Sequence, residues 1–201
     1  MMKTERLILD EFSGKDAFPL FQIAQRINQQ ANQDPNYHSY YAFQTQDIVE
    51  LREKVANFII KAKQEQKQTP RKTFRYALRK DGQLIGSVAI DMLPTIENGK
   101  VILGDLGYFI DPLHGRKNYT HEACIAVLHQ FFAKYETLDV TAHPNNQYSI
   151  QLIKRLGGVA TDYQTNSHYN QEPRQSFIIS RSSFIDKLYN QKRLTEGKEY
   201  V

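Results

Sequence analysis

Three extended runs separated by two tight-turn pairs constrain the fold of this chain more than any other feature. The runs cover residues 74–79, 84–93 and 101–110, and the pairs Asp81-Gly82 and Asn98-Gly99 separate them. Asp-Gly and Asn-Gly favour the two-residue turns that join antiparallel strands, because these residues accept positive φ angles. The pattern therefore predicts an antiparallel three-stranded meander in the middle of the chain.

A strand and two helices are predicted before this meander. Residues 6–12 alternate as a strand does, and Ser13 with Asp16 then forms a capping-box pattern ahead of a helix that begins near Ala17. Residues 28–41 are rich in Asn and Gln and predict a surface loop. A second helix follows with Thr45 as its expected cap, because apolar residues recur at helical spacing between positions 48 and 59.

After the meander, helical and extended patterns alternate to the end of the chain. They predict helices over 118–135 and 146–156, and strands over 138–142, 159–164 and 174–180. Seven strands and interspersed helices, with neither an internal repeat nor a linker, predict a single mixed α/β (α+β) domain over residues 1–190. Residues 191–201 are expected to form a C-terminal tail.

Composition excludes several classes of protein. Hydrophobic residues make up 40% and charged residues 24% of the 201 positions, as in an ordinary globular domain. The single cysteine, Cys124, excludes an intrachain disulfide and a thiolate-rich zinc site, and we expect no metal. The longest apolar run, at 123–128, is far shorter than the ~20 residues of a spanning helix, and the first ten residues lack the apolar core of a signal peptide. The sequence predicts a cytoplasmic protein without a membrane partner.

The positive charge is concentrated in one stretch. Residues 61–80 contain eight Lys or Arg and one Glu, hence +7, which leaves −3 for the rest of a chain whose formal net charge is +4. A run of this kind is usually a solvated helix end. We therefore do not expect nucleic acid as a partner, although an association with RNA or the ribosome through this segment is an alternative.

Residues 103–112, LGDLGYFIDP, form the first of three segments that indicate chemistry. Gly107 interrupts an extended run and suggests a bulge, since glycine inside a strand often marks one. A bulge would separate this strand from its neighbour and leave backbone amides near Phe109 and Ile110 available to a ligand. The alternative is a plain irregularity at a sheet edge.

The second and third segments are helix starts. In HGRKNYTHEA, residues 114–123, a turn runs into a helix with Arg116 and Lys117 beside it. Helix-terminal amides beside positive charges suit a phosphate, although the stretch is also an ordinary basic helix start. In HPNNQYSIQLIKRLGG, residues 143–158, Asn146 is placed to cap a helix that ends at Gly157-Gly158.

Taken in order, these segments resemble the GNAT superfamily of N-acetyltransferases, particularly the branch that acetylates ribosomal-protein N-termini. The likeness covers about residues 4–184 and is carried by TERLILDEF, LGYFIDP, HGRKNYTHEA, the Asn146-Gln-Tyr-Ser149 helix start with IQLIKRLGG, and RQSFIIS. The resemblance implies helices on both faces of a mostly antiparallel seven-stranded sheet. It also implies that the family's fourth and fifth strands, here 101–110 and 138–142, diverge into a V.

The resemblance further implies acetyl-CoA as co-substrate, held in that V. Pantetheine would pair with backbone near Phe109 and Ile110, and Asn146 would hydrogen-bond the pantetheine arm. The pyrophosphate would meet the loop amides of Arg116, Lys117, Asn118, Tyr119 and Thr120.

Three positions depart from the family pattern. The glycine positions of the phosphate loop hold Asn118 and Thr120, and the leading Gln or Arg position holds Gly115. Asparagine tolerates left-handed backbone, so we expect the loop to close. Gly158 replaces a usual Phe, and Ile153 stands where many members place a tyrosine acid; the ribosomal-type branch also lacks that tyrosine.

The resemblance implies direct transfer of the acetyl group to a primary amine in a ternary complex. Ser149 is the expected proton donor to the departing thiolate. For the base we slightly favour Asp105, whose apolar sequence neighbours predict a buried and more basic carboxylate, over His143, which titrates near neutrality without perturbation. Cys124 is expected to be a core residue.

The acceptor is an amine, on a small molecule or a protein N-terminus, and homodimer formation stays open. Aromatic residues on the 28–41 loop and on the hairpin after Val159, namely Tyr163, His168 and Tyr169, are expected to shape its pocket. The alternative, suggested by the glycine-poor loop and the absent tyrosine, is a non-catalytic GNAT-like module that binds an acyl-CoA.

Overall fold

Helices and strands alternate in the computed structural model, which describes residues 1–38, 40–97, 100–166 and 172–196. In those ranges the strands are β1 Met2–Lys3, β2 Ile8–Asp10, β3 Thr73–Lys80, β4 Gln83–Glu97, β5 Lys100–Ile110, β6 Thr137–Ala142, β7 Val159–Asn166 and β8 Pro173–Ser180. The helices are α1 Ala17–Gln33, α2 Ile48–Lys67, α3 Tyr119–Phe132, α4 Gln147–Arg155 and α5 Arg181–Glu196. Short 3₁₀ turns occupy Gly14–Asp16, Tyr41–Phe43 and Pro112–His114.

The predicted meander is the centre of the larger sheet. Strands β3, β4 and β5 pair antiparallel in sequence order, and the sheet runs β1-β2-β3-β4-β5. Asp81 and Gly82 turn the β3–β4 hairpin with φ angles of 50° and 79°, as their residue types predict. The turn expected at Asn98-Gly99 lies outside the described residues. All seven predicted strands are present, and β1 is an additional strand.

The sheet divides where the sequence places the V. Strands β6, β8 and β7 form a second, three-stranded antiparallel sheet. Strands β5 and β6 are neighbours, but no hydrogen-bonded ladder joins them over their described residues. We call the space between these two strands the notch. The predicted divergence of the two strands is therefore confirmed.

The notch does not arise from a bulge at Gly107, so that prediction is wrong. The β4–β5 register is continuous from Asp105 to Ile110, and its shift lies between Asp91 and Pro94. Proline has no N–H for the ladder, which explains why the register breaks there. In the described residues, the separation of β5 from β6, rather than a bulge, leaves β5 without a β-ladder on that side.

Helices cover both faces of the larger sheet, as predicted. Tyr76 and Leu78 of β3 belong to a core cluster formed with α3, α4 and α5. Ala77, between them, belongs to a second cluster formed with α1 and α2. Successive strand side chains point to opposite faces, so this split places one helical layer on each side.

Helix α1 is longer than the sequence pattern predicts. It continues to Gln33, through the first residues of the expected 28–41 loop. Asn28 is buried, and its Nδ2 donates to the carbonyl oxygens of Phe43 at 2.7 Å and Thr45 at 2.8 Å. Two backbone acceptors thus make a buried asparagine compatible with a helix packed on the sheet.

Helix α2 is capped by Asp47 rather than Thr45. Asp47 Oδ1 accepts hydrogen bonds from the backbone N–H groups of Val49 at 2.7 Å and Glu50 at 2.9 Å. The Thr45 hydroxyl donates instead to the carboxylate of Glu50. The helix therefore begins two residues later than its predicted cap implies.

Helix α5 was not predicted. Its Phe184 is fully buried and packs 5.3 Å from Phe132, measured between ring centroids. The helix begins directly after β8 and extends to Glu196, so it spans the domain boundary expected at residue 190. That boundary stays a prediction.

Four of the eight basic residues at 61–80 form ion pairs with acidic residues of the same chain. Arg75 forms a buried ion pair with Glu65, and Arg79 contacts both Asp10 and Asp16. Further ion pairs join Arg71 to Glu11 and Lys80 to Asp81. These four charges are held by carboxylates of the same chain, so they contribute less to an association with RNA or the ribosome than the sequence alone implies.

Candidate active site

The notch is bordered by the starts of two helices, because α3 follows β5 and α4 follows β6. Across it, the Tyr108 hydroxyl of β5 donates to the Ser149 carbonyl of α4 at 3.5 Å. Burial raises the pKa of Tyr108, so its hydroxyl stays protonated as the donor. Ser149, the predicted proton donor, therefore lies at the notch.

Phe109 can serve the notch only through its backbone. Its ring is buried in the α1–α2 layer, 5.2 Å from the ring of Phe43, 5.9 Å from Phe58 and 5.1 Å from Tyr40. The half-buried side chain of Ile110 packs against the other core. The backbone of β5 is thus held from both faces, while no β-ladder joins its edge toward β6 in the part of the chain that the structure describes.

The loop before α3 has the left-handed geometry that its asparagine predicts. Arg116 has φ of 59° and Asn118 has φ of 63°, directly before the first helical residue, Tyr119. Arg155 of α4 donates from Nη1 to Asn118 Oδ1 at 3.0 Å. The first turn of α3, with Thr120, presents amides that have no intrahelical acceptor. The loop thus adopts left-handed backbone at Asn118 without a glycine at that position.

An ion pair anchors the other end of this loop. Buried Asp111 accepts two hydrogen bonds from Arg26, one from Nε at 2.8 Å and one from Nη2 at 2.7 Å, and its Oδ1 also accepts the N–H of Leu113 at 3.1 Å. Gly115 then donates its N–H to the Pro112 carbonyl at 3.1 Å. Sequence reasoning missed this anchor, because Arg26 and Asp111 are 85 positions apart.

The two basic side chains of the loop point to different partners. Arg116 Nη2 donates to the Tyr148 hydroxyl at 2.9 Å, and that hydroxyl donates to Asp34 Oδ2 at 2.8 Å. The hydrogen bond from Tyr148 is the main cause that lowers the pKa of Asp34. Lys117 Nζ donates to the Leu113 carbonyl at 3.3 Å. The loop, α4 and the end of α1 are thereby connected.

The third segment folds as its sequence predicts. Asn146 Oδ1 accepts the backbone N–H of Ser149 at 3.2 Å and caps α4. Ile153, at the family's tyrosine position, is fully buried. A Cβ added to Gly158 would lie 2.4 Å from Ile153 Cγ2, so this isoleucine fills the space that a side chain at 158 would need.

The two predicted bases differ from expectation. Asp105 is exposed, opposite Asp91 in the β4–β5 register, so its predicted burial is wrong. Its neighbour Leu106 is buried instead, because side chains alternate between faces along a strand. His143 is half-buried, and burial lowers its pKa with a smaller contribution from His38.

Two groups close to His143 were not predicted. The His38 ring stacks on the His143 ring with centroids 4.2 Å apart, and His38 Nε2 lies 2.7 Å from Glu172 Oε2. His38 comes from the polar loop that was expected to contact the acceptor, which was the only signal in the sequence. Tyr163 has no described side chain, and His168 and Tyr169 lie outside the described residues.

Two further groups in α3 belong to the protein interior. Cys124 is fully buried, as predicted, and burial raises the pKa of its thiol. His121 is buried with no hydrogen-bond partner for Nε2 in the described part of the chain, and burial lowers its pKa to about 4. Both groups are neutral near pH 7.

Most of the chain matches the model of one protein family. Residues 6–159 match the family model described as the acetyltransferase (GNAT) domain. The chain belongs to this family. It is therefore an acetyltransferase by family, and the match includes both strands of the notch, the loop before α3 and α4. No curated protein matches it by sequence.

Solved structures share the fold of this acetyltransferase. A GNAT-family acetyltransferase from Bacillus anthracis is 17% identical with a TM-score of 0.62, covering 90% of this chain and 98% of that one. An acetyltransferase from Agrobacterium tumefaciens is 19% identical with a TM-score of 0.62, covering 90% and 94%. The ribosomal L7/L12 α-N-protein acetyltransferase RimL, solved with coenzyme A, is 11% identical with a TM-score of 0.63, covering 90% and 97%.

The described part of the acetyltransferase contains no helix that is both long and apolar enough to cross a membrane. Its notch residues fit an acyl-CoA by their chemistry. An unpaired strand edge supplies amides and carbonyls for an amide-containing arm, and a helix start beside Arg116 and Lys117 suits a pyrophosphate.

Proposed function

We propose that this acetyltransferase moves the acetyl group of acetyl-CoA to a primary amine, on a protein N-terminus or a small molecule, by direct attack in a ternary complex. The observation that carries the proposal is the ladder-free notch between β5 and β6, which opens beside the left-handed loop at Asn118. Acetyl-CoA is the co-substrate.

Different residues along the notch would bind different parts of acetyl-CoA. Backbone at Phe109 and Ile110 would pair with the pantetheine arm, and the Asn146 side-chain amide would hold the same arm. The loop amides from 116 to 120 would meet the pyrophosphate, with Arg116 and Lys117 supplying positive charge. Arg116 must then exchange part of its contact with Tyr148 for the phosphate.

The chemistry follows from placing both substrates in one cleft. Holding an amine against a thioester removes much of the entropic barrier, so no covalent enzyme intermediate is required. A β5 amide near Phe109 would polarise the thioester carbonyl. The Ser149 hydroxyl would return a proton to the departing thiolate, directly or through water.

Binding and turnover test the proposal separately. Acetyl-CoA at 100 times its dissociation constant should add about 2.7 kcal/mol of stability, which for a chain of 201 residues is a rise in Tm of roughly 5–11 °C. Free-thiol release should then follow when amines are added: spermidine, an amino-acid ester and a peptide with a free N-terminus. Adenosine at the same concentration is the control ligand, because it lacks the pyrophosphate and the pantetheine arm.

The possible results distinguish the alternatives. Stabilisation by acetyl-CoA together with thiol release that depends on an amine supports the transferase. Stabilisation with no thiol release from any amine would support the non-catalytic acyl-CoA module instead. No stabilisation at millimolar acetyl-CoA would overturn both interpretations of the notch.

A further inference from the structure

Two histidines and a glutamate meet beside the notch, from three separate parts of the chain. His38 follows α1, His143 directly follows β6, and Glu172 directly precedes β8. The two imidazole planes are 15° apart and stacked. Glu172 is held at both oxygens, by His38 Nε2 at 2.7 Å and by Gln44 Nε2 at 3.5 Å. The cluster joins the loop after α1 to the start of β8.

Hydrogen bonds assign a different tautomer to each histidine. A carboxylate only accepts, so His38 Nε2 carries the hydrogen toward Glu172, and the neutral ring keeps its lone pair on Nδ1. His143 Nδ1 accepts the backbone N–H of Asn145 at 3.1 Å, so its hydrogen is on Nε2. Within these contacts, the Nδ1 lone pair of His143 accepts the Asn145 N–H, whereas His38 uses Nε2 toward Glu172 and turns Nδ1 away from that carboxylate.

The segment that carries His38 lies over the start of α4. Asp34 accepts a hydrogen bond from the Tyr148 hydroxyl, and the Tyr37 ring lies 6.4 Å from the Tyr148 ring, measured between centroids. Tyr148 is the residue directly before Ser149, the proposed proton donor. The segment that carries His38 therefore contacts the first turn of α4, the turn to which Ser149 belongs.

We propose that His38 is the general base toward the acceptor amine and that Glu172 positions its imidazole, an inference that rests on the proposed function. The acceptor ammonium gives one proton to His38 Nδ1, and the neutral nitrogen attacks the thioester carbonyl carbon. The C–N bond forms and the C–S bond breaks. The second amine proton reaches the thiolate through Ser149, and His38 returns its proton to water.

The same side chains include ligand types for a transition metal, and their ligand atoms lie within 4.8 Å of one another. Two features favour the base. Stacked rings that are nearly parallel cannot both direct in-plane lone pairs at one ion. A metal on Nε2 of His143 would also require a hydrogen on Nδ1, where the Asn145 N–H already donates.

Thiol release by three variants tests this assignment on the full chain. His38→Gln should lower kcat/KM for the best amine of the panel by about 100-fold at pH 7, because a general base contributes that much or more. Glu172→Gln should lower it less. His129→Gln, on an exposed position of α3, is the matched control and should behave as the parent. The stabilisation by acetyl-CoA should be equal in all four proteins.

The pH profile separates a base from a structural residue. The charged groups around the stacked pair are Glu172 and Arg174. The loss of kcat/KM in His38→Gln, relative to the parent, should become smaller as the pH approaches the pKa of the acceptor amine, because a neutral amine needs no base. Two results would overturn the proposal, provided that the parent protein is active. One is a loss of kcat/KM in His38→Gln that stays the same from pH 7 to about pH 10, and the other is a loss of less than about threefold at pH 7.

A metal titration covers the competing assignment. ZnCl₂ added to the metal-free protein should give no one-to-one complex that depends on His38. Tight zinc binding that His38→Gln abolishes would overturn the base assignment and make the cluster a metal site. A parent protein that releases no thiol with any amine would overturn the proposed function itself, and this outcome is distinct from a failure confined to the His38 variant.

Discussion

Replacing Glu65 with glutamine should destabilise the acetyltransferase substantially without touching the notch. Glu65 in α2 accepts two hydrogen bonds from Arg75 in β3, at 2.8 Å from Nε and 3.2 Å from Nη2, and the two side chains are 5% and 8% exposed. Glu65→Gln keeps the shape of the side chain and removes its charge. It removes the carboxylate with which the buried Arg75 guanidinium pairs.

The magnitude follows from that burial. Removing one partner of a buried ion pair costs about 3–5 kcal/mol. The Arg75 guanidinium also lies 4.9 Å from the centroid of the Phe58 ring, and this contact persists in the variant. Because such a contact is worth about 1 kcal/mol, we expect the loss of stability to lie at the lower end of that range. About 3 kcal/mol lowers the Tm of a domain of this size by roughly 6–12 °C.

Thermal and urea unfolding of two variants in the same helix would measure this. Glu50→Gln is the matched control, because Glu50 is half exposed and pairs with Lys54 at the surface, where such a pair is worth less than about 1 kcal/mol. High salt should reduce the part of the Glu50 effect that comes from Lys54 and leave the Glu65 effect unchanged. Equal losses in the two variants would refute the reasoning. So would a double variant, Glu65→Leu with Arg75→Met, that is no more stable than Glu65→Gln alone.

Three further predictions concern the site and its surroundings. Ser149→Ala should lower kcat at least ~10-fold and leave the stabilisation by acetyl-CoA unchanged. Stopped-flow measurement of thiol release tests this, and an unchanged rate would contradict the role of Ser149 as proton donor. Asn118→Val places a β-branched residue at φ 63°, which should cost roughly 1–2 kcal/mol and weaken acetyl-CoA binding, whereas Asn118→Gly should bind as the parent. Burial lowers the pKa of His121 from 6.5 to about 4, so below pH 6.5 the unfolded chain binds a proton that the folded chain does not. The stability contribution of neutral His121 is therefore complete above pH 6.5 and declines as the pH falls toward 4; His121→Leu should flatten that part of a Tm-against-pH curve, and an unchanged slope would contradict it.

Local signals predicted the parts of the fold that depend on neighbours in the chain. The Asp81-Gly82 turn and the cap at Asn146 appear where their residue types predict them. Both depend only on nearby residues, because a residue type decides whether a positive φ angle is tolerated and a capping side chain bonds an N–H within the next few positions. The left-handed Asn118 follows the same rule. The weakly patterned helix α5 escaped prediction, since its burial depends on Phe132, far away in the sequence.

The candidate site was predicted less completely for the same physical reason. Asp105 has apolar sequence neighbours, but strand alternation turns it to the surface, so the composition of a strand does not show which face a residue occupies. His38 and Glu172 are separated by 134 positions. No local pattern reports a pair of that kind, because only the packing of α1 against the sheet brings their segments together.

The divided sheet also determines where the open strand edges of β5 and β6 lie. An unpaired strand edge normally invites a strand from another chain and is a starting point for aggregation. Here the open edges of β5 and β6 belong to neighbouring strands and flank a space inside one molecule. A strand from another chain that paired with either edge would therefore have to enter between β5 and β6, into the same space that the acyl-CoA is proposed to occupy.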